Sequence, residues 1–150
     1  MEATSIVIET HVAVERSFAT YDAAEGSQHR QYQAMLAISD ALAAHAAVEQ
    51  ELLYPALRRR TGRYDGEIER QLEQSHLLDL LLVELGAMVP ADRRFDAKVR
   101  LLLDLFRQHA RDQELVVLPE LRRRLDAGER ERLGSELAER SRQLHQRSAA

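Results

Sequence analysis

The sequence predicts an all-α protein, an antiparallel up-down-up-down four-helix bundle with an additional C-terminal helix. Three observations carry this expectation. Ala, Leu, Glu, Arg and Gln, all good helix formers, dominate a 150-residue chain that has only three prolines and six glycines. Apolar residues recur at spacings of three and four, the period of a helix face. Short turn clusters divide the chain into long periodic stretches, and short connections set successive helices antiparallel.

The first helix is expected over Thr4 to Ala24, with Val7, His11, Val14, Phe18 and Tyr21 on one stripe. Gly26 and Ser27 break it. The second runs from Gln28 to about Arg60, striped by Met35, Ile38, Leu42, His45, Glu49 and Leu52. TGRYDG at 61–66 reads as a turn. A third helix spans Glu67 to Ala87, with Leu72, His76, Leu80 and Val83 facing inward. VPADRRF at 89–95 is the next loop, and Asp92 is the expected cap of the fourth helix. That helix covers Asp96 to Leu125 through Val99, Leu102, Phe106, His109, Gln113 and Val116. The bundle thus occupies residues 1–125. Residues 126–150 add a mostly polar helix, expected to run from Gly128 toward His145 and to pack outside the bundle or fray.

Composition narrows the function. With 45% hydrophobic and 31% charged residues the chain suits a soluble globular protein rather than a disordered one. The net charge of −4 gives no support for a nucleic-acid surface. Arg58–Arg60 and Arg122–Arg124 are basic clusters, but both fall at expected helix ends, where cations complement the helix dipole. Without cysteine there is no thiolate ligand or nucleophile. No apolar run reaches the ~20 residues that cross a bilayer, and no signal peptide is evident, so a cytoplasmic location is expected. No phosphate loop or serine nucleophile motif is found.

An internal repeat carries the chemistry. Residues 44–60 read AHAAVEQELLYPALRRR, and residues 108–124 read QHARDQELVVLPELRRR. His45 and His109, and Pro55 and Pro119, are each 64 residues apart; upstream, His11 and His76 are 65 apart. A lone histidine on an apolar face is more often a core residue than a ligand. Four of them, one on each long helix, point instead to a metal site that iron, manganese or zinc would fit. Glu49 follows His45 by four residues, about 40° round the helix, so both reach one ion. Burying an ionised glutamate alone costs several kcal/mol, and a cation explains its place on the apolar stripe. His29 and His145 fall off these stripes and are expected in solvent. Each proline should bend or end its helix beyond the site.

These residues resemble the motif of the hemerythrin family, specifically the HHE cation-binding domains, over about residues 5–125. The motif is a histidine on the first helix, HxxxE on the second, histidine on the third, and HxxxE or HxxxxD on the fourth. Here these look like His11, His45 with Glu49, His76, and His109 with Glu114. The resemblance implies two non-heme irons, joined by an oxo or hydroxo bridge and two carboxylates. His11 and His45 would ligate one iron, His76 and His109 the other, and Glu49 and Glu114 would bridge.

The sequence departs from the motif at two places. At +4 from His109 stands Gln113, and the acid, Glu114, comes at +5, about 140° from His109 in an ideal helix. Glu114 therefore needs a π-type widening or a kink at Pro119 to face inward. The oxygen carriers also have a second third-helix histidine, whereas Leu72 and Leu80 flank His76 here and Glu73 is the nearest extra ligand. The resemblance implies binding of dioxygen, peroxide or nitric oxide, or a catalase-, peroxidase- or oxidase-type activity. An oxygen, redox or iron sensor acting through a partner protein is the alternative, followed by a metal-free helical adaptor.

Overall fold

Amphipathic stretches become helices where expected, and small local devices join them. The computed structural model describes residues 1–61 and 65–150. Helix α1 (Ala3–Ala23) turns back at Gly26, whose φ of 85° lies in the left-handed region that glycine tolerates. Ser27 then caps α2 (Gln28–Val48) by accepting from the Arg30 N–H. A π-helical turn, Glu49–Leu53, carries the chain into α3 (Tyr54–Thr61). The turn expected at 61–66 is shorter than that: Thr61 and Asp65 are already helical, and 62–64 lie outside the described residues.

Helix α4 (Asp65–Gly86) is followed by α5 (Phe95–Asp112). Asp92 does not cap α5. Its Oδ2 accepts from the Val89 N–H at 2.8 Å and closes the loop, while Arg94 holds the cap position without a side-chain bond. A second π turn, Gln113–Val117, leads into α6 (Leu118–Arg124). Asp126 and Glu129 form a reciprocal capping box at the start of α7 (Ala127–Ala149). The described residues form four antiparallel helical rods, α1, α2–α3, α4 and α5–α6, with α7 against them and no strand.

The π turns have a local cause. Pro55 and Pro119 lack the N–H that would bond back one turn. Just before each, the chain closes a wider ring instead: Tyr54 N–H bonds to Glu49 O, and Leu118 N–H to Gln113 O. The extra residue rotates the remainder of each rod. Leu53 and Val117 are buried where the simple helical stripe pointed to Leu52 and Val116.

Two apolar clusters divide the bundle. One gathers Val7, Val48, Leu53, Leu57, Val117 and Leu121; the other gathers Val14, Phe18, Ile38, Leu42, Leu102 and Phe106. Each buried side chain of this size contributes roughly 1.5–3 kcal/mol, enough to hold a polar layer between them. Helix α7 buries Leu133, Gly134 and Leu137 and pairs Arg140 with Glu51 at 2.7 and 3.0 Å. Gly134 allows the N-terminal chain close passage, since a Cβ there would stand 2.1 Å from the Met1 carbonyl oxygen. The arginine clusters fasten helix ends: Arg123 and Arg124 pair with buried Glu120, Arg122 with Glu2, and Arg58 with Glu69. No helix among the described residues is long and apolar enough to cross a membrane.

Candidate metal centre

Between the two apolar clusters lies a buried polar layer of His11, His45, Glu49, His109 and Gln113. Helix α1 supplies His11, and α2 and α5 supply His45 and His109 in their last turns. Glu49 and Gln113 open the two π turns. Ligand atoms of His11, His45 and Glu49 lie within 4.8 Å of one another. His109 Nε2 is 3.2 Å from Glu49 Oε2.

Each histidine is anchored by Nδ1 and turns Nε2 inward. Thr10 Oγ1 donates to Val7 O at 2.7 Å and so accepts from His45 Nδ1–H at 2.9 Å. Gln74 Nε2 donates to Asp112 at 2.6 Å, leaving its Oε1 to accept from His109 Nδ1–H at 3.0 Å. His11 Nδ1 is 2.7 Å from Glu114 Oε1. Such outer partners fix ring orientation and tautomer around metals.

The fit to a cation shows at His45. Its Nδ1 carries the proton, so Nε2 presents a lone pair. Buried Nε2 touches Glu49 Oε1 but lacks hydrogen-bond geometry and has no hydrogen-bond partner among the described residues. Glu49 Oε1 accepts from Gln113 Nε2, but a bare His45 Nε2 facing it in a dry layer is unfavourable unless a proton or a metal cation lies between them. The donors of His11, His45 and Glu49, with His109 beside them, fit one such ion.

Electrostatics agree. Burial alone would push the Glu49 carboxyl up, but positive charge at His45 and His109 outweighs it and holds the group well below the usual carboxylate range, a charge that a cation bound by neutral imidazoles would supply instead. Burial pushes His11 down, toward the neutral form that ligates metals. Tyr54 O–H donates to Glu49 Oε2 at 3.2 Å, and burial raises its pKa.

The six residues expected as ligands separate. His11, His45, Glu49 and His109 converge. Glu114, with its side chain 42% exposed, reaches His11 from outside, while fully buried Gln113 faces the layer. His76 is exposed on α4, as are Glu73, Leu80 and Val83; the buried positions are Ile68, Gln71, Ser75, Leu78 and Leu85. The run HLLDLLLVEL is apolar nearly all round, so its inward face could not be chosen from apolar period alone. Thr10, Gln74 and Tyr54 were not anticipated. The repeat could have found the first two, because each lies 35 residues before the histidine it holds.

His29 and His145 are exposed, as expected. A cleft of about 790 Å³ between α1 and α5 reaches His11 and Glu114, with Phe106 and Ala110 on its wall and Arg107 on its rim. A smaller groove of about 400 Å³ reaches Thr10 and His45 under α7, beside Ser141 and His145.

Known proteins place this architecture. A crystal structure of a hemerythrin HHE cation binding domain-containing protein from Mycobacterium kansasii superposes with a TM-score of 0.83. The match covers 96% of this chain and 87% of that one at 20% identity, and it shows the fold. A DNA nickase from Nostoc sp. (strain PCC 7120) is 28% identical over 106 residues, 71% of this chain. The chain spans only 30% of that protein's length. The family model for the hemerythrin HHE cation binding domain matches residues 2–121, which include every converging residue of the polar layer, and the chain belongs to that family.

Proposed function

We propose that the protein binds redox-active non-heme iron and uses it to bind dioxygen or process a small oxidant such as peroxide. The observation that carries this reading is the buried His45 Nε2 set against Glu49 without a hydrogen bond, which a cation would reconcile. Imidazole and carboxylate donors suit iron, which supplies the electron transfer that oxidant chemistry needs. His11, His45 and Glu49 would hold the ion, with His109 beside them, and the residues behind them would fix their orientation. The cleft at His11 gives a small oxidant a path. The resemblance implies two irons. His76 and Glu114, two of the six residues in that set, lie outside the converging group, which favours one ion.

The test is iron content and the optical spectrum of purified protein, before and after peroxide. Iron should be bound, and peroxide should change the spectrum. His45→Ala should lose both iron and response while remaining helical by circular dichroism. A folded, colourless, metal-free wild type would sink the proposal and favour the helical adaptor.

A second reading, a sensor acting through a protein partner, is favoured by α7, which roofs the groove leading to His45. Oxidation should then change amide exchange along Ala127–Ala149. Unchanged exchange in a protein that turns over peroxide would reject it.

A further inference from the structure

We infer that the chain holds a single metal ion, and that the second position of the paired-iron arrangement is closed by Gln113 and Ser75. The inference rests on the metal-binding reading above. The register of the repeat supplies the first argument. His45 pairs with His109, Pro55 with Pro119, and Thr10 with Gln74, all at 64 residues. The paired anchors confirm that register in space, since Thr10 holds His45 and Gln74 holds His109 in the same way. Applied strictly, it sets Ser75 opposite His11 and Gln113 opposite Glu49. His76, at 65 residues from His11, is one position out, about 100° round the helix, and exposed.

Both substituted positions face inward, Ser75 at 4% exposure and Gln113 at 0%. The second position therefore keeps one imidazole, His109, and a share of Glu49. It has lost a histidine and a carboxylate. An amide and a hydroxyl cannot replace that charge, and two adjacent cations need anions between them.

Gln113 also ties up the layer between His11, Glu49 and Tyr54. Its Nε2 donates to Glu49 Oε1 at 2.5 Å and to Tyr54 OH at 2.9 Å, and its Oε1 lies 2.7 Å from His11 Nε2. An N–H donor thus stands where the repeat would set a second carboxylate, against the Glu49 oxygen that faces His45. Glu114 does not compensate, because it approaches the outer nitrogen of His11 from the cleft side. Its role is that of a positioning residue.

The experiment loads the full chain with excess ferrous iron under anaerobic conditions, removes unbound iron, and counts iron per chain. The ferric form is then examined by electron paramagnetic resonance. One iron per chain with the signal of an isolated high-spin ferric ion is expected. Two irons per chain, with that signal quenched by coupling, would overturn the inference while leaving the proposed function standing. No bound iron would sink both. The Ser75→His/Gln113→Glu variant should raise the count toward two, since the repeat sets residue 75 against Glu49 as it sets His11 against Gln113. A natively helical variant that stays at one would overturn the assignment of these two positions. If that variant does not fold, the wild-type count and signal still decide.

Discussion

In the first half of the chain, His11, His45 and Glu49 supply three inward donors from two rods. In the second half the matching places hold Ser75, His109 and Gln113. The scaffolding around both sets is nevertheless the same. Each half has a π turn ahead of a proline, an anchor 35 residues before its histidine, and arginines at its helix end. A repeat can thus keep its backbone devices while its ligand set diverges, because the π turn and the apolar clusters are stabilised without the metal. Asymmetry in chemistry sits on symmetry in packing.

The sharpest way to break this comparison is to remove the buried carboxylate of the polar layer. Glu49→Gln keeps the shape and the contacts to Tyr54 but leaves the layer without an anion. Iron content should fall to background, a loss well beyond the ~10–100-fold typical of outer-partner changes. Gln113→Ala, at the matching place, should retain iron. Equal losses in the two variants, measured by metal analysis on helical protein, would show that the halves contribute alike.

The anchors give the next effect. Thr10→Val and Gln74→Leu each remove the acceptor for a histidine Nδ1–H. Each should weaken iron affinity by about 10–100-fold, as outer-partner losses do. Competition titration with a chelator measures this, and unchanged affinity would reduce the anchors to packing. Thr10→Val should be the more severe, because His45 belongs to the richer donor set and His109 stands at its edge.

Most of this architecture was legible in the sequence. The helix-forming composition and the three-and-four period located every rod to within a few residues. Glu49 stood out because a buried carboxylate on an apolar stripe requires a partner. What was not legible had two physical sources. The π turns shift the stripe by one residue, so Leu53 and Val117 replace Leu52 and Val116 in the core. On α4, where nearly every side is apolar, a histidine draws attention that its neighbours Gln74 and Ser75 do not. Polar residues without charge or ring are easily passed over, yet one of them holds His109 and the other fills the place matching His11.

The smallest expected effect concerns that same helix. His76→Ala should leave iron content, iron affinity and the peroxide response unchanged within error, since its side chain is exposed and the α4 face toward the layer carries Gln74 and Ser75. Stability should move by no more than about 0.5 kcal/mol, the range for surface substitutions. The contrast with Gln74→Leu, two residues away, is what gives an unchanged His76→Ala its force. If His76→Ala loses iron while Gln74→Leu keeps it, then α4 is rotated by one residue in the loaded protein, and the ligand set implied by the family resemblance replaces the one described here. If the reverse holds, one position of register decides which residue of α4 serves the centre.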